Sequence, residues 1–142
     1  MTRDVFYMAH PVSQDVNSGE RGEQYFRKNV SNAKRWLKWL MENDRTRVYS
    51  APWIIEVELA INNHLTTTYA EALADDREVV ARFDGIILVG GAITLGMQEE
   101  LDVAKALKKY IIDWSKFRSP WSPKSDAGIA ASILLRSNSY GR

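Results

Sequence analysis

Between Arg82 and Asp113 the chain passes from an unbroken apolar run through a helix to a second apolar run, an order that few folds accommodate. Ile86 to Val89 are all aliphatic, as a strand buried on both faces requires, and Gly90-Gly91 end the run. After a short loop, Met97, Leu101, Ala104 and Leu107 or Lys108 recur at the spacing of one helical face, and Tyr110 to Ile112 form the next apolar run. Two buried strands joined through a helix read as a parallel pair with a crossover. Glu100 lies three residues after Met97 and four before Ala104, so it shares the apolar stripe, whereas Glu99 and Asp102 point elsewhere. Burying an unpaired charge is costly, so Glu100 is either a satisfied structural contact or part of a site. Acidic residues also favour first helical turns because of the helix dipole, which leaves both readings open.

The same alternation runs through the preceding residues. Val5 to Ala9 read as a first buried strand stopped by His10-Pro11, and a polar loop extends to about Gly22. Phe26, Val30, Ala33, Leu37 and Leu40 have helical spacing, ending near Asn43-Asp44. Asn29 falls on that inward stripe, where a hydrogen bond to nearby backbone is its simplest use. Trp39 lies off the stripe, and Tyr25, Asn32 and Trp36 run along a neighbouring face, which suggests an aromatic surface left for a partner. Arg47 to Ala51 read as the next strand, stopped by Pro52-Trp53, with helical or irregular chain from Ile54 to Asn63 and a break from His64 to Thr68. Tyr69 to Phe83 are helical, with Asp75-Asp76 read as a fresh N-cap that places Asp76 at a helix start. The pattern as a whole predicts an α/β fold: a doubly wound, flavodoxin-like parallel sheet of four to five strands with flanking helices and right-handed crossovers.

Composition narrows the function classes. With 142 residues, 45% hydrophobic and 26% charged, the chain suits a single core. We read residues 1–114 as the α/β domain. Residues 115–142 read as a basic C-terminal tail, packed on the same domain or on a neighbouring subunit, with Lys116, Arg118, Lys124, Arg136 and Arg142 against Asp126 and a short helix over Asp126 to Leu135. A net charge of +1 provides no field to select nucleic acid or an anionic membrane. No cysteine is present, which removes thiol nucleophiles, thiolate metal sites and disulfides and fits a reducing compartment, and two histidines make a His-rich metal centre a poor expectation. With no apolar run of membrane-spanning length, the expectation is a cytoplasmic protein without a membrane partner.

Open parallel sheets bind ligands at the carboxyl ends of their strands. Gly90, Gly91 and Gly96 do not make a dinucleotide fingerprint, because the first strand's loop reads Ala9-His-Pro-Val. Nor do they make a phosphate-binding P-loop, because no Lys-Ser or Lys-Thr follows. NAD-linked oxidoreduction and NTP hydrolysis therefore drop away. What remains near the strand ends is Tyr7, His10, Trp53, Asp76, Thr94 and Glu100: aromatics able to stack on a planar group, and at least two carboxylates.

Three stretches resemble the nucleoside 2-deoxyribosyltransferase-like family, which includes base-exchanging transferases and nucleotide N-glycosidases. Tyr7-Met-Ala-His-Pro11 is similar to the family's Tyr-Leu-Ala-Gly-Pro opening, followed by an Asn–Ala pairing at Asn29 and Ala33. Asp76 stands eight residues before Asp84, as in the family's helix-to-strand segment. Thr94-Leu-Gly-Met-Gln-Glu-Glu-Leu-Asp-Val-Ala104 is similar to its Ser-x-Gly loop and Glu-x-x-x-Ala helix. The resemblance covers roughly residues 4 to 113. His10 replaces the usual glycine, and Thr94 the usual serine.

The resemblance implies cleavage of the N-glycosidic bond of a small-molecule nucleoside or nucleotide, by hydrolysis or deoxyribosyl transfer. Glu100 would attack the anomeric carbon and form a glycosyl-enzyme ester, and Asp76 would hydrogen-bond or protonate the leaving base. Tyr7 and Trp53 are the candidates for stacking on the base, Thr94 with the amides around Gly96 for a 5′-phosphate, and His10 and Asn29 are further candidates for binding the substrate. The resemblance implies no metal, no organic cofactor, and a homo-oligomer whose neighbouring subunits help complete the site. A competing expectation is a non-catalytic nucleotide-binding or sensor module on the same fold.

Overall fold

The computed structural model describes residues 2–61 and 69–120. The expected break at His64 to Thr68 and the expected helix from Asp126 to Leu135 lie outside them. Four strands, β1 (Asp4–Ala9), β2 (Arg47–Ser50), β3 (Gly85–Leu88) and β4 (Tyr110–Asp113), alternate with α1 (Phe26–Asn43), α2 (Trp53–Ile61), α3 (Tyr69–Arg82) and α4 (Leu95–Ala106). All pairings are parallel in the order β2-β1-β3-β4. This is the doubly wound, flavodoxin-like α/β arrangement that the apolar runs predict.

The order follows from burial. Phe6 to Ala9 and Ile86 to Leu88 are the most hidden segments and take the two central positions, with Tyr7 opposite Ile86 and Ala9 opposite Leu88. Strand β4, where Tyr110 and Ile111 are exposed, lies at one end. With right-handed crossovers this order sets α1 on one face of the sheet and α3 and α4 on the other, and α3 packs against α4. The direction of winding reverses between the parallel neighbours β1 and β3, so the loops leaving these strands border a crevice at the carboxyl edge.

Gly90 and Gly91 serve this junction sterically. Both have positive φ (110° and 97°), and a Cβ on Gly90 would stand 2.6 Å from the His10 ring and the Pro11 ring. Only glycine lets the two loops meet that closely.

Two expectations change. Asp76 does not begin a helix: α3 is continuous from Tyr69 to Arg82, because Leu73, Asp76 and Val80 lie on one inward stripe flanked by good helix formers. The α1 tryptophans do not form an open surface either. Trp36 and Trp39 are buried, in ring contact with each other and with Trp114, which in turn contacts Phe117. The first residues of the basic segment thus close over α1: Asn32 Nδ2 and Trp36 Nε1 donate to Arg118 O, and Gly90 N donates to Phe117 O. The domain therefore continues past Trp114 to at least residue 120. No helix among the described residues is long and apolar enough to cross a membrane.

Candidate active site

At the carboxyl edge a cavity of about 370 Å³ opens between the β1–α1 loop and helices α2, α3 and α4, within the size range of small-molecule sites. Each of the three helices turns one carboxyl into it: Glu56 from α2, Asp76 from α3 and Glu100 from α4. Asp76 is 8% exposed and Glu100 7%. Among the described residues lining the cavity, Arg21 at the loop side is the one cation. It is carried there by the antiparallel bridge between Gln14 and Arg21.

Glu100 is held by Tyr7. The Tyr7 ring is fully buried edge-on to Phe83, and its hydroxyl donates a short hydrogen bond to Glu100 Oε2. Burial, followed by the charges of Glu100 and Asp76, keeps the phenol well above its ordinary pKa, so Tyr7 remains a donor. Burial pushes Glu100 up to about 7, and the Tyr7 hydrogen bond, which favours the charged form, opposes a further rise. With its ring enclosed, Tyr7 positions Glu100 and is not available to stack on a base.

Asp76 is in the opposite situation. Its Oδ1 is buried and receives no hydrogen bond from a donor group among the described residues, and its hydrogen-bonding neighbour is the Glu56 carboxyl. Burial, then the charges of Glu56 and Glu100, push Asp76 up to about 8, and burial also raises Glu56. At neutral pH Asp76 is therefore an acid beside a substantially ionised Glu100, and such a separation of two carboxyls is how one site supplies both an acid and a nucleophile.

His10 and Trp53 form a wall. His10 is buried, and burial lowers it to about 4 despite the bond to Pro11 O. It is therefore neutral, with Nδ1 donating to Pro11 O (2.7 Å) and Nε2 accepting from Asn32 Nδ2 (2.8 Å). With both nitrogens engaged, its role is shape. The Trp53 ring is stacked near it at 6.3 Å with its Nε1 fixed to Met8 O. Asn29 stands outside this cavity: its Nδ2 donates to Val12 O (2.8 Å) and Gln14 O (2.9 Å), pinning the loop that walls it. Thr94 caps α4 by accepting from Met97 N, and Thr94 and Gly96 both line the cavity.

Glu56 and Arg21 are absent from the sequence-derived site. Glu56 carries a legible signal, since Trp53, Glu56, Val57 and Ala60 share one helical face and all line the cavity, the same stripe pattern that marks Glu100. Arg21 sits in a loop and has none. No group of three or more histidine, aspartate and glutamate side chains is arranged to hold a metal ion among the described residues. Comparison with protein-family models, with curated proteins and with solved structures returns no match.

Proposed function

We propose that the protein cleaves the N-glycosidic bond of a nucleoside or nucleotide, with Glu100 as nucleophile and Asp76 as the acid that assists the leaving base. The observation that carries this is the pairing, in one cavity, of a buried glutamate oriented by a phenolic hydroxyl with a buried aspartic acid that keeps its proton at neutral pH. In the first step a Glu100 oxygen bonds to the anomeric carbon as the carbon–nitrogen bond breaks, and its electron pair goes to the base, which takes a proton from Asp76. In the second step water or another base takes the sugar from Glu100 and returns a proton to the acid. Trp53 offers an aromatic wall for the base, while Thr94, Gly96 and Arg21 suit a 5′-phosphate or 5′-hydroxyl.

The homo-oligomer implied by the family resemblance belongs to the same proposal. With the α1 tryptophans covered, its surface is to be sought among the exposed Leu107, Tyr110 and Ile111. Incubation with a panel of nucleosides and 5′-monophosphates, with free base read by chromatography, tests the activity. Base release is expected. Thermal stabilisation by the same compounds without release from any of them overturns it in favour of a binding module.

A further inference from the structure

Two carboxyl groups that hydrogen-bond to each other need a proton between them, because neither has a donor of its own when both are ionised. Asp76 from α3 and Glu56 from α2 line the same cavity, close enough for the Glu56 carboxyl to raise the proton affinity of Asp76 by hydrogen bonding. Asp76 Oδ1 is buried with no donor from elsewhere among the described residues. The surrounding charges make full ionisation worse. Glu100 faces the pair from α4, and Asp75 adds negative charge from Asp76's own helix. From β1 comes Tyr7, a neutral phenol already committed to Glu100, and His10 on the adjoining loop is neutral. The nearby cation of α3, Arg77, is taken by Glu99 of α4 at 2.6 Å, and Arg21 and Glu23 sit on the loop side. Two like charges at hydrogen-bonding distance cannot both persist in such surroundings.

We propose that Glu56 is the positioning residue that keeps a transferable proton on Asp76: the two side chains hold one proton in common and present it toward the cavity. This deepens the N-glycosidase proposal and rests on it for its catalytic meaning, though the proton pair itself does not. In the reaction the shared proton passes to the leaving base as the carbon–nitrogen bond breaks, leaving Asp76 and Glu56 both anionic. The water that then attacks the sugar ester supplies its hydroxide to the anomeric carbon and its proton to the pair, so the pair is restored and Glu100 leaves as carboxylate. Because the dianionic pair is costly, it draws its proton back promptly, which couples deglycosylation to recovery of the acid.

The test is a carbon-13 NMR titration of the aspartate and glutamate side chains in the full chain and in Glu56→Gln. In the unmodified protein Asp76 is expected to titrate far above an ordinary aspartate. In Glu56→Gln a neutral amide donates to Asp76 and removes a charge, so the Asp76 midpoint is expected to fall by roughly one unit or more. Asp76→Asn should lower the Glu56 midpoint in return, and Asp75→Asn, which alters a charge outside the cavity, should move either midpoint far less. An Asp76 midpoint unchanged in Glu56→Gln overturns the shared proton, whatever the protein cleaves. In turnover, Glu56→Gln is expected to shift the alkaline limb of the pH–rate profile downward, with roughly a tenfold or greater loss above pH 8 and far less below pH 7. A uniform loss at all pH values overturns the proton-holding role and assigns Glu56 to packing. A shifted midpoint in a protein that releases no base supports the pair and overturns the glycosidase proposal alone.

Discussion

Asp44 and Asp76 are both hidden carboxyls, one at each edge of the sheet. Asp44 lies where α1 turns into β2 and is 1% exposed; Asp76 lies at the carboxyl edge and is 8% exposed. Around Asp44 the chain supplies donors: Thr46 N at 3.0 Å, the Thr46 hydroxyl, Arg47 Nη1 at 2.9 Å and the Tyr49 hydroxyl. Burial pushes Asp44 up, but the bonds from Thr46, Tyr49 and Arg47 outweigh it and hold the carboxyl below its ordinary range. Around Asp76 the chain supplies other acids, and the shift reverses. Burial alone therefore does not decide whether a carboxylate is structural. The supply of donors does, and a fold that withholds them keeps a proton available for chemistry.

The largest expected effect is in the cavity. Glu100→Gln should keep the fold and reduce base release by roughly 10⁴-fold or more, since an amide of equal size is no nucleophile. Turnover near the unmodified rate would remove Glu100 from the mechanism. Asp76→Asn should cost about 10²–10⁴-fold, less for bases that leave readily without a proton. Its counterpart Asp44→Asn should lose about 3 kcal/mol of stability by denaturant titration, because it strands Arg47 and the hydroxyl donors, with turnover per folded molecule unchanged. If the two substitutions behaved alike, the contrast between the edges would fail.

Tyr7→Phe should slow base release by roughly 10–100-fold, the value of one buried hydrogen bond to a carboxylate. With that bond gone Glu100 holds its proton more tightly, so the acid limb of the pH–rate profile moves upward. In the unmodified protein that profile should be a bell with limbs near the values of about 7 for Glu100 and about 8 for Asp76. A flat profile across this range would contradict the assignment of nucleophile and acid.

Stability should divide the edges by sign. Asp76 and Glu100 hold their protons more tightly folded than unfolded, so the stability they contribute is complete below about pH 4 and is lost as pH rises through about 7 and about 8. Asp76→Asn should then raise Tm at pH 9 by roughly 5–10 °C and hardly at all at pH 4. Asp44 is depressed, so its contribution is present above the unfolded value and lost as pH falls through the folded one. The deficit of Asp44→Asn should accordingly shrink in acid. Glu99→Gln, which removes only a half-exposed ion pair with Arg77, should change both rate and stability least, by under about 1 kcal/mol.

The strand runs and the inward stripe of α4 were legible because they are local periodicities, and they placed Glu100 on the buried face. The α2 stripe through Trp53, Glu56 and Val57 has the same form, but a segment that reads as helical or irregular defines no face on which Glu56 could stand out. Asp76 was singled out by its distance to Asp84, whose own carboxyl accepts from Val5 N at 2.8 Å and anchors β1. Its expected place at a helix start was wrong, because the tertiary environment tolerates a protonated aspartate in mid-helix.

Sequence alone thus determined the parallel doubly wound sheet, the glycines that end its third strand and one inward glutamate, since each follows from side-chain periodicity or backbone freedom within a few residues. The tertiary structure decided which carboxyls meet, which of them find donors and what covers Trp36 and Trp39. Those outcomes depend on contacts between distant parts of the chain. A buried acid's charge is set by its neighbours in space, and Glu56, Asp76 and Glu100 become neighbours only once three helices have packed on the sheet.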